Sequence, residues 1–233
     1  LEPHWLPALE KGEIDFGGNL EQLTFALKAV DSPRIVGLLL QRLQAGDVEP
    51  AQALTSAELI GQLGNAEELR ELFQHIGSKD TKFQTTQRAQ MLDKLREATT
   101  QRKARISGNM APLKEMMHSD SEQLSAAAYR AAGAWKLNLF LSDLKQAAIG
   151  HGVDALNVRR AAMEGLAMHG GEEAKAVLLA LSVEDKSPDI RAHAIGQLAI
   201  VGVKPAADAA VKFLEAIPKH SDAEPSVASI VSI

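Results

Sequence analysis

Two segments in the second half of the chain align without gaps at an offset of 32 residues: Val158-Arg159-Arg160-Ala161-Ala162-Met163-Glu164-Gly165-Leu166 and Ile190-Arg191-Ala192-His193-Ala194-Ile195-Gly196-Gln197-Leu198. The matched pairs are Val158/Ile190, Arg159/Arg191, Ala162/Ala194, Met163/Ile195, Leu166/Leu198 and the terminating Gly170/Gly202. A weaker third copy lies 34 residues earlier, with Leu124, Ala128 and Ala132 in the positions of Val158, Ala162 and Leu166. A period of this length holds two short helices and their turns, the unit of an α-solenoid. No other feature constrains the chain as tightly, because one such unit can bury its apolar face only against the next copy.

Each copy carries apolar residues at helical spacing, as in Leu124, Ala128, Ala131 and Trp135, or Ile190, Ala194, Leu198 and Val201. Between the copies lie further amphipathic stretches: 172 to 183, with Ala174, Val177, Leu178 and Leu181 inward, and 204 to 217, with Ala207, Val211, Leu214 and Ile217 inward. Ser32-Pro33 and Ser187-Pro188 each set a capping hydroxyl before a proline at the first helical position. Gly64-Asn65, with Glu68 three residues on, reads as a helix end passing into a capping box, and Gly170-Gly171 also marks a stop. The resulting helical pairs are 4–11 with 19–30, 33–45 with 50–63, 65–76 with 80–104, 109–118 with 121–136, 138–149 with 155–169, and 172–183 with 188–201. Helix 204–217 has no second member. Residues 1–220 are expected to form one solenoid domain, and 221–233 a tail or the start of a further repeat.

Composition agrees. The 37 Ala and 30 Leu outweigh one Tyr, two Trp and six Phe, so helix formers are abundant and strand-filling aromatics scarce. A net charge of −5 supplies no whole-chain attraction to nucleic acid or an anionic membrane. With no cysteine, the chain itself holds no disulfide, thiolate zinc site, thiol nucleophile or covalently attached c-type haem. No apolar run reaches the roughly 18 residues of a membrane span, and residues 1–20 lack the plan of a signal peptide. A start at Leu1 in place of Met reads as a piece of a longer protein.

The unit Asp185-Lys186-Ser187-Pro188-Asp189-Ile190-Arg191, leading into Ala194 and Leu198, resembles a HEAT repeat, whose turn carries Asp and Pro before a Val-Arg start to its second helix. Asp154 with Val158-Arg159 is the second match, without the proline. The resemblance implies an all-α, right-handed α-α superhelix, a HEAT- or armadillo-like solenoid of about six helical pairs. It also implies a polar ladder between adjacent repeats formed by Asp154, Arg159, Asp185 and Arg191. A narrower resemblance covers residues 3–77, in the run Trp5-Leu6-Pro7, Leu9 to Ile14, Phe16-Gly17-Gly18-Asn19 and Leu23 to Ala29. That run is similar to helical regions of planctomycete and verrucomicrobial multidomain proteins labelled membrane-bound dehydrogenases. These join a sugar-dehydrogenase-like β-propeller, HEAT-like repeats and a haem-binding c-type cytochrome domain. The resemblance implies the middle section of such a protein and an extracytoplasmic location. No Cys-x-x-Cys-His site occurs, so the family's redox chemistry attaches to no residue of this chain.

Motifs that carry chemistry are scarce. His4, His75, His118, His151, His169, His193 and His220 form no i, i+4 pair and no His-Glu-x-x-His. His169 suits the negative end of its helix, and His151 sits in a glycine turn. No Gly-x-Ser-x-Gly or phosphate-binding glycine loop occurs. Trp5, Trp135 and Tyr129 fall where helix-packing aromatics belong, and Met116, Met117, Met163 and Met168 read as gap fillers. Residues 79–105 form a basic stretch, with Lys82, Arg88, Arg96, Arg102, Lys103 and Arg105 as a candidate ridge for phosphate, nucleic acid or an acidic partner domain. The competing reading is a long solvated helix with Phe83, Met91, Leu92 and Leu95 as its apolar stripe.

The expected function is a non-catalytic interaction scaffold without a cofactor, binding a protein or the neighbouring domains of a parent chain. Its concave surface is assigned to Arg130, Arg160, Glu164, His193 and Gln197, which lie off the apolar stripes of the second helices. The alternative is a groove-binding enzyme or nucleic-acid binder on the same scaffold, similar to DNA glycosylases or bilin lyases. Few aromatics and the acidic balance disfavour it.

Overall fold

The computed structural model describes Pro7, Ala8 and residues 33–46, 48–150 and 155–215. Apart from Pro7 and Ala8, which are helical, the expected pair 4–11 with 19–30, the Ser32 cap and the 221–233 tail lie outside the described residues. The described residues are helical, with no strand among them, and fall into two compact units divided between Met116 and Met117.

The first unit contains α1 (Pro33–Ala45), α2 (Pro50–Leu63), α3 (Ala66–Gly77) and α4 (Thr85–Gln101), and the division falls within α5 (Ala111–Met117). First helices stack on first helices, α1 on α3, and second on second, α2 on α4. Between them lie the fully buried Leu43, Leu59, Ile60, Leu69, Leu72, Phe73, Ile76, Met91 and Leu92. Each such side chain contributes about 1.5–3 kcal/mol relative to exposure. The start of α3 is fixed locally by a capping box: Asn65 Oδ1 accepts from the Glu67 and Glu68 amides at 2.9 and 3.1 Å, and Glu68 Oε2 accepts from the Asn65 amide at 2.7 Å. Helix α4 begins at Thr85, later than the expected 80, because local hydroxyl bonds hold the preceding backbone in turns. Ser78 Oγ accepts from the Asp80 amide and Thr81 Oγ1 from the Phe83 amide, before Gln84 and Gln87 form the box that starts the helix.

The second unit contains α6 (Glu122–Ala134), a 3-10 turn (Asn138–Phe140), α7 (Leu141–Ala148), α8 (Leu156–His169), α9 (Gly171–Glu184), α10 (Pro188–Val201) and α11 (Val203–Glu215). Helices α6, α8 and α10 form one stacked row, and α7, α9 and α11 the other. The α6/α8 contact is the tightest point of the unit. A side chain at Gly133 would run into the backbone of Gly165, and one at Gly165 into the Tyr129 carbonyl and the Leu144 side chain. Buried alanines on the facing surfaces, among them Ala128, Ala131, Ala132, Ala161 and Ala162, maintain the approach along the helices. The chain turns from α8 into α9 through Gly170 and Gly171, whose φ angles of 75° and 86° favour glycine. Ser187 Oγ then accepts from the Ile190 amide at 3.4 Å, with Pro188 opening α10.

The inward face of the last helix is a correction. Ala207, Val211 and Leu214 are exposed, and α11 instead buries Ala206, Ala209 and Phe213 against α9 and α10. Ile217 lies outside the described residues. Phe213 decides the rotation, since its large ring packs beneath the Arg191 guanidinium, 5.3 Å from carbon to ring centroid. Helix α11 packs against both α9 and α10.

Candidate functional site

Side chains from three successive helices of one row converge on Glu164. Arg130 on α6 donates from Nε to Glu164 Oε2 at 2.6 Å, and His193 Nε2 on α10 lies 3.7 Å from Glu164 Oε1. Arg160 stands one turn before Glu164 on α8, and Gln197 one turn beyond His193 on α10. All five residues are half-buried. Burial holds the His193 ring below its ordinary range. Glu164 opposes this most, Arg160 and Arg130 reinforce it, and a hydrogen bond to the Arg160 backbone opposes it. The ring is therefore neutral at neutral pH. Two polar atoms here, Arg160 Nε and His193 Nε2, are buried with no hydrogen-bond partner among the described residues.

A second polar system runs behind this surface. Arg159 donates from Nε to the Ala148 carbonyl at 3.1 Å, the end of α7, and from Nη2 to the Asp185 carboxylate. Asp185 Oδ1 accepts from the Ser187 amide at 2.9 Å, and Arg191 Nη1 donates to the Asp185 carbonyl at 2.9 Å. One carboxylate thus binds the arginine of the preceding repeat while its own peptide group takes that of the following helix. With side chains only 16% and 12% exposed, the Arg159–Asp185 pair is shielded from solvent. Removing one partner from such a pair costs about 3 kcal/mol. Asp154 lies outside the described residues.

Residues 152–229 match a family model for HEAT repeats. No curated protein matches the chain. The HEAT-repeat region holds α8 to α11, the Arg159–Asp185 link and four members of the Glu164 cluster on its two second helices; Arg130 comes from the helix stacked before it. The chain is an all-α solenoid.

The basic stretch is distributed differently. Lys82 Nζ donates to the Ala45 carbonyl at 2.7 Å, Arg88 Nε to Ile76 at 2.7 Å, and Arg102 Nη1 to Gly61 and Gly64 at 2.7 and 3.0 Å. Three of the six predicted ridge residues therefore close the carbonyl ends of α1, α3 and α2, where a cation also meets the negative pole of the helix. Arg96 pairs with Asp93 and Glu97 at 3.1 and 3.2 Å, while Lys103 and Arg105 are exposed. Phe83, Met91, Leu92 and Leu95 are buried. These cations share one segment of sequence, but their carbonyl acceptors lie 12 to 41 positions away, beyond the reach of any local pattern.

Elsewhere, Tyr129 is buried, Trp135 is half-buried at the end of α6, and His169 lies with Nε2 3.0 Å from Asn138 Oδ1. Lys145 pairs with Glu173 at 2.7 Å, linking α7 to α9, and holds that carboxylate below its usual range. Trp5, His4, His151 and His220 lie outside the described residues. Among the described residues, no three His, Asp or Glu side chains are grouped to hold a metal ion, and no helix is long and apolar enough to cross a membrane.

Proposed function

We propose that this chain is a non-catalytic interaction scaffold that receives a segment of a protein on the face shared by α6, α8 and α10. The observation that carries this reading is the Arg130–Glu164–His193 row of ionisable side chains, which crosses three stacked helices and leaves each group half-exposed. A solenoid presents such a face as a continuous surface suited to an extended partner. The partner is a separate protein or a neighbouring domain of the same protein. Similarity of residues 3–77 to the multidomain dehydrogenase-like proteins supports the second case and, with it, an extracytoplasmic setting.

Site-specific photo-crosslinking tests the assignment. The crosslinking residue is placed at Gln197, on the proposed face, or at Val183, exposed on α9 in the other row. Each protein is exposed to an extract of the cells that make it. A discrete protein adduct from position 197 and none from 183 is expected. Adducts from 183 alone, or from neither position, overturn the reading.

A further inference from the structure

Resting on that reading, we infer that the α6/α8/α10 face recognises an acidic segment of its partner, one carboxylate of which binds between Arg160 and His193. The first argument is charge. Three basic side chains, Arg130, Arg160 and His193, surround a single acid, Glu164, and Arg130 already engages that acid at 2.6 Å. Arg160 forms no ion pair among the described residues, although the residue before it does: Arg159 is closed by Asp185. Two adjacent arginines on α8 thus have opposite fates, one locked into the repeat ladder and the other left facing the cluster.

The second argument is hydrogen bonding. Arg160 Nε and His193 Nε2 are both buried and unpartnered, a condition that costs about 1–3 kcal/mol per group until a partner arrives. A carboxylate meets the need of a guanidinium better than a neutral group does, because its two oxygens match the planar fork of donors. At 3.7 Å, Glu164 Oε1 is too far from His193 Nε2 to serve as its acceptor. Gln197, one turn along α10, adds a neutral amide beside the carboxylate position.

The histidine gives the site a pH signature. Its ring already bonds the Arg160 backbone, so Nε2 can donate to an incoming carboxylate only when the ring carries a second proton. Among the described residues, the charged groups facing it are Arg160 and Glu164 from α8 and Arg130 from α6; α9 and α11, which also pack on α10, add none. An acid bound beside the ring reverses the balance that keeps it neutral. Binding therefore takes up a proton, and affinity rises as pH falls.

The probe is a fluorescein-labelled hexaglutamate peptide, with hexaglutamine as the neutral control, titrated into the full chain and read by anisotropy. Hexaglutamate is expected to bind at least about tenfold more tightly than hexaglutamine, and R160Q to lose about tenfold. Lys103→Gln, an exposed cation of the other unit, leaves binding unchanged. Affinity of the unsubstituted chain rises about threefold or more from about pH 8 to about pH 6, and H193Q abolishes that rise. R160K, with circular dichroism on every variant, separates loss of the site from loss of the fold. Equal losses in R160Q and K103Q, no preference over hexaglutamine, or tighter binding of an RNA probe each overturn the inference. An adduct at position 197 without hexaglutamate binding rejects the acidic ligand and leaves the scaffold reading standing; failure of both rejects both.

Discussion

Gly165 shows how much one absent side chain can hold. Its hydrogen allows α8 to lie against the Tyr129 carbonyl of α6 on one side and Leu144 of α7 on the other. A methyl group there meets backbone, which cannot rotate away, so the helices must separate along a surface of buried alanines. Gly165→Ala is expected to destabilise the second unit by about 3 kcal/mol, at the upper end of overpacking costs, and to lower Tm by about 10 °C. Thermal unfolding followed by circular dichroism measures it, and an unchanged Tm would show that α8 is not in close contact with α6 and α7. His75 makes a different point. Its Nε2 is buried without a partner beside the edge of Phe83, and burial holds its pKa below 6.5 despite an opposing hydrogen bond to the Leu43 backbone. The unfolded chain therefore takes up this proton first as pH falls. Stability is constant above the unfolded pKa of about 6.5 and declines below it, through the lower folded pKa. Urea midpoints at about pH 7.5 and pH 5.5 should fall less in His75→Gln than in the unsubstituted chain; equal falls would mean that the ring titrates in the folded state as it does in water.

At the scale of elements, helix ends are closed by two kinds of group, and only one of them can be read locally. Asn65, Ser187 and the prolines at 33, 50 and 188 act within four residues of themselves, so α1, α2, α3 and α10 begin within a residue of their expected starts. The carbonyl ends of α1, α2 and α3 are closed by side chains from the following segment, with Arg102 reaching 41 and 38 positions back to Gly61 and Gly64. Arg102→Ala removes two charge-assisted bonds and is expected to cost the first unit about 2 kcal/mol, whereas Lys103→Ala at the exposed neighbouring position costs less than about 0.5 kcal/mol. Chemical denaturation of the two variants gives the comparison, and equal effects would assign Arg102 to the solvent. The same distinction explains the candidate site. Arg130, Arg160, Glu164, His193 and Gln197 stand off the apolar stripes, and periodicity alone shows that. Which acid meets which base depends on the stacking register, since Arg130 and Glu164 are 34 positions apart. The face of α11 differs from the expected one for a related reason: 207, 211 and 214 form as good an apolar stripe as 206, 209 and 213, and only the ring of Phe213 beneath Arg191 selects between them.

For the molecule as a whole, charge must be counted by destination. Residues 79–105 carry a local excess of basic over acidic side chains within a chain of net charge −5. On that count alone the stretch is a phosphate-binding surface, since each phosphate neutralised by Lys or Arg releases counterions and gives binding a steep salt dependence. The structure directs Lys82, Arg88 and Arg102 to helix carbonyls, and pairs Arg96 with Asp93 and Glu97, Lys94 with Glu58, and Lys79 with Glu115. Lys103 and Arg105 remain on the surface, and Phe83, the one aromatic in the stretch that could stack on a base, is buried. Two cations with no partner among the described residues, on an acidic protein, give a salt slope of about −2 at most and little affinity. The full chain is therefore expected not to retain a single-stranded oligonucleotide of about 20 nucleotides at about 50 mM salt, with fluorescence anisotropy as the measurement. Binding whose log–log salt slope exceeded about −4 would require at least four phosphate contacts, and hence that the helix-capping cations leave their carbonyls to make them.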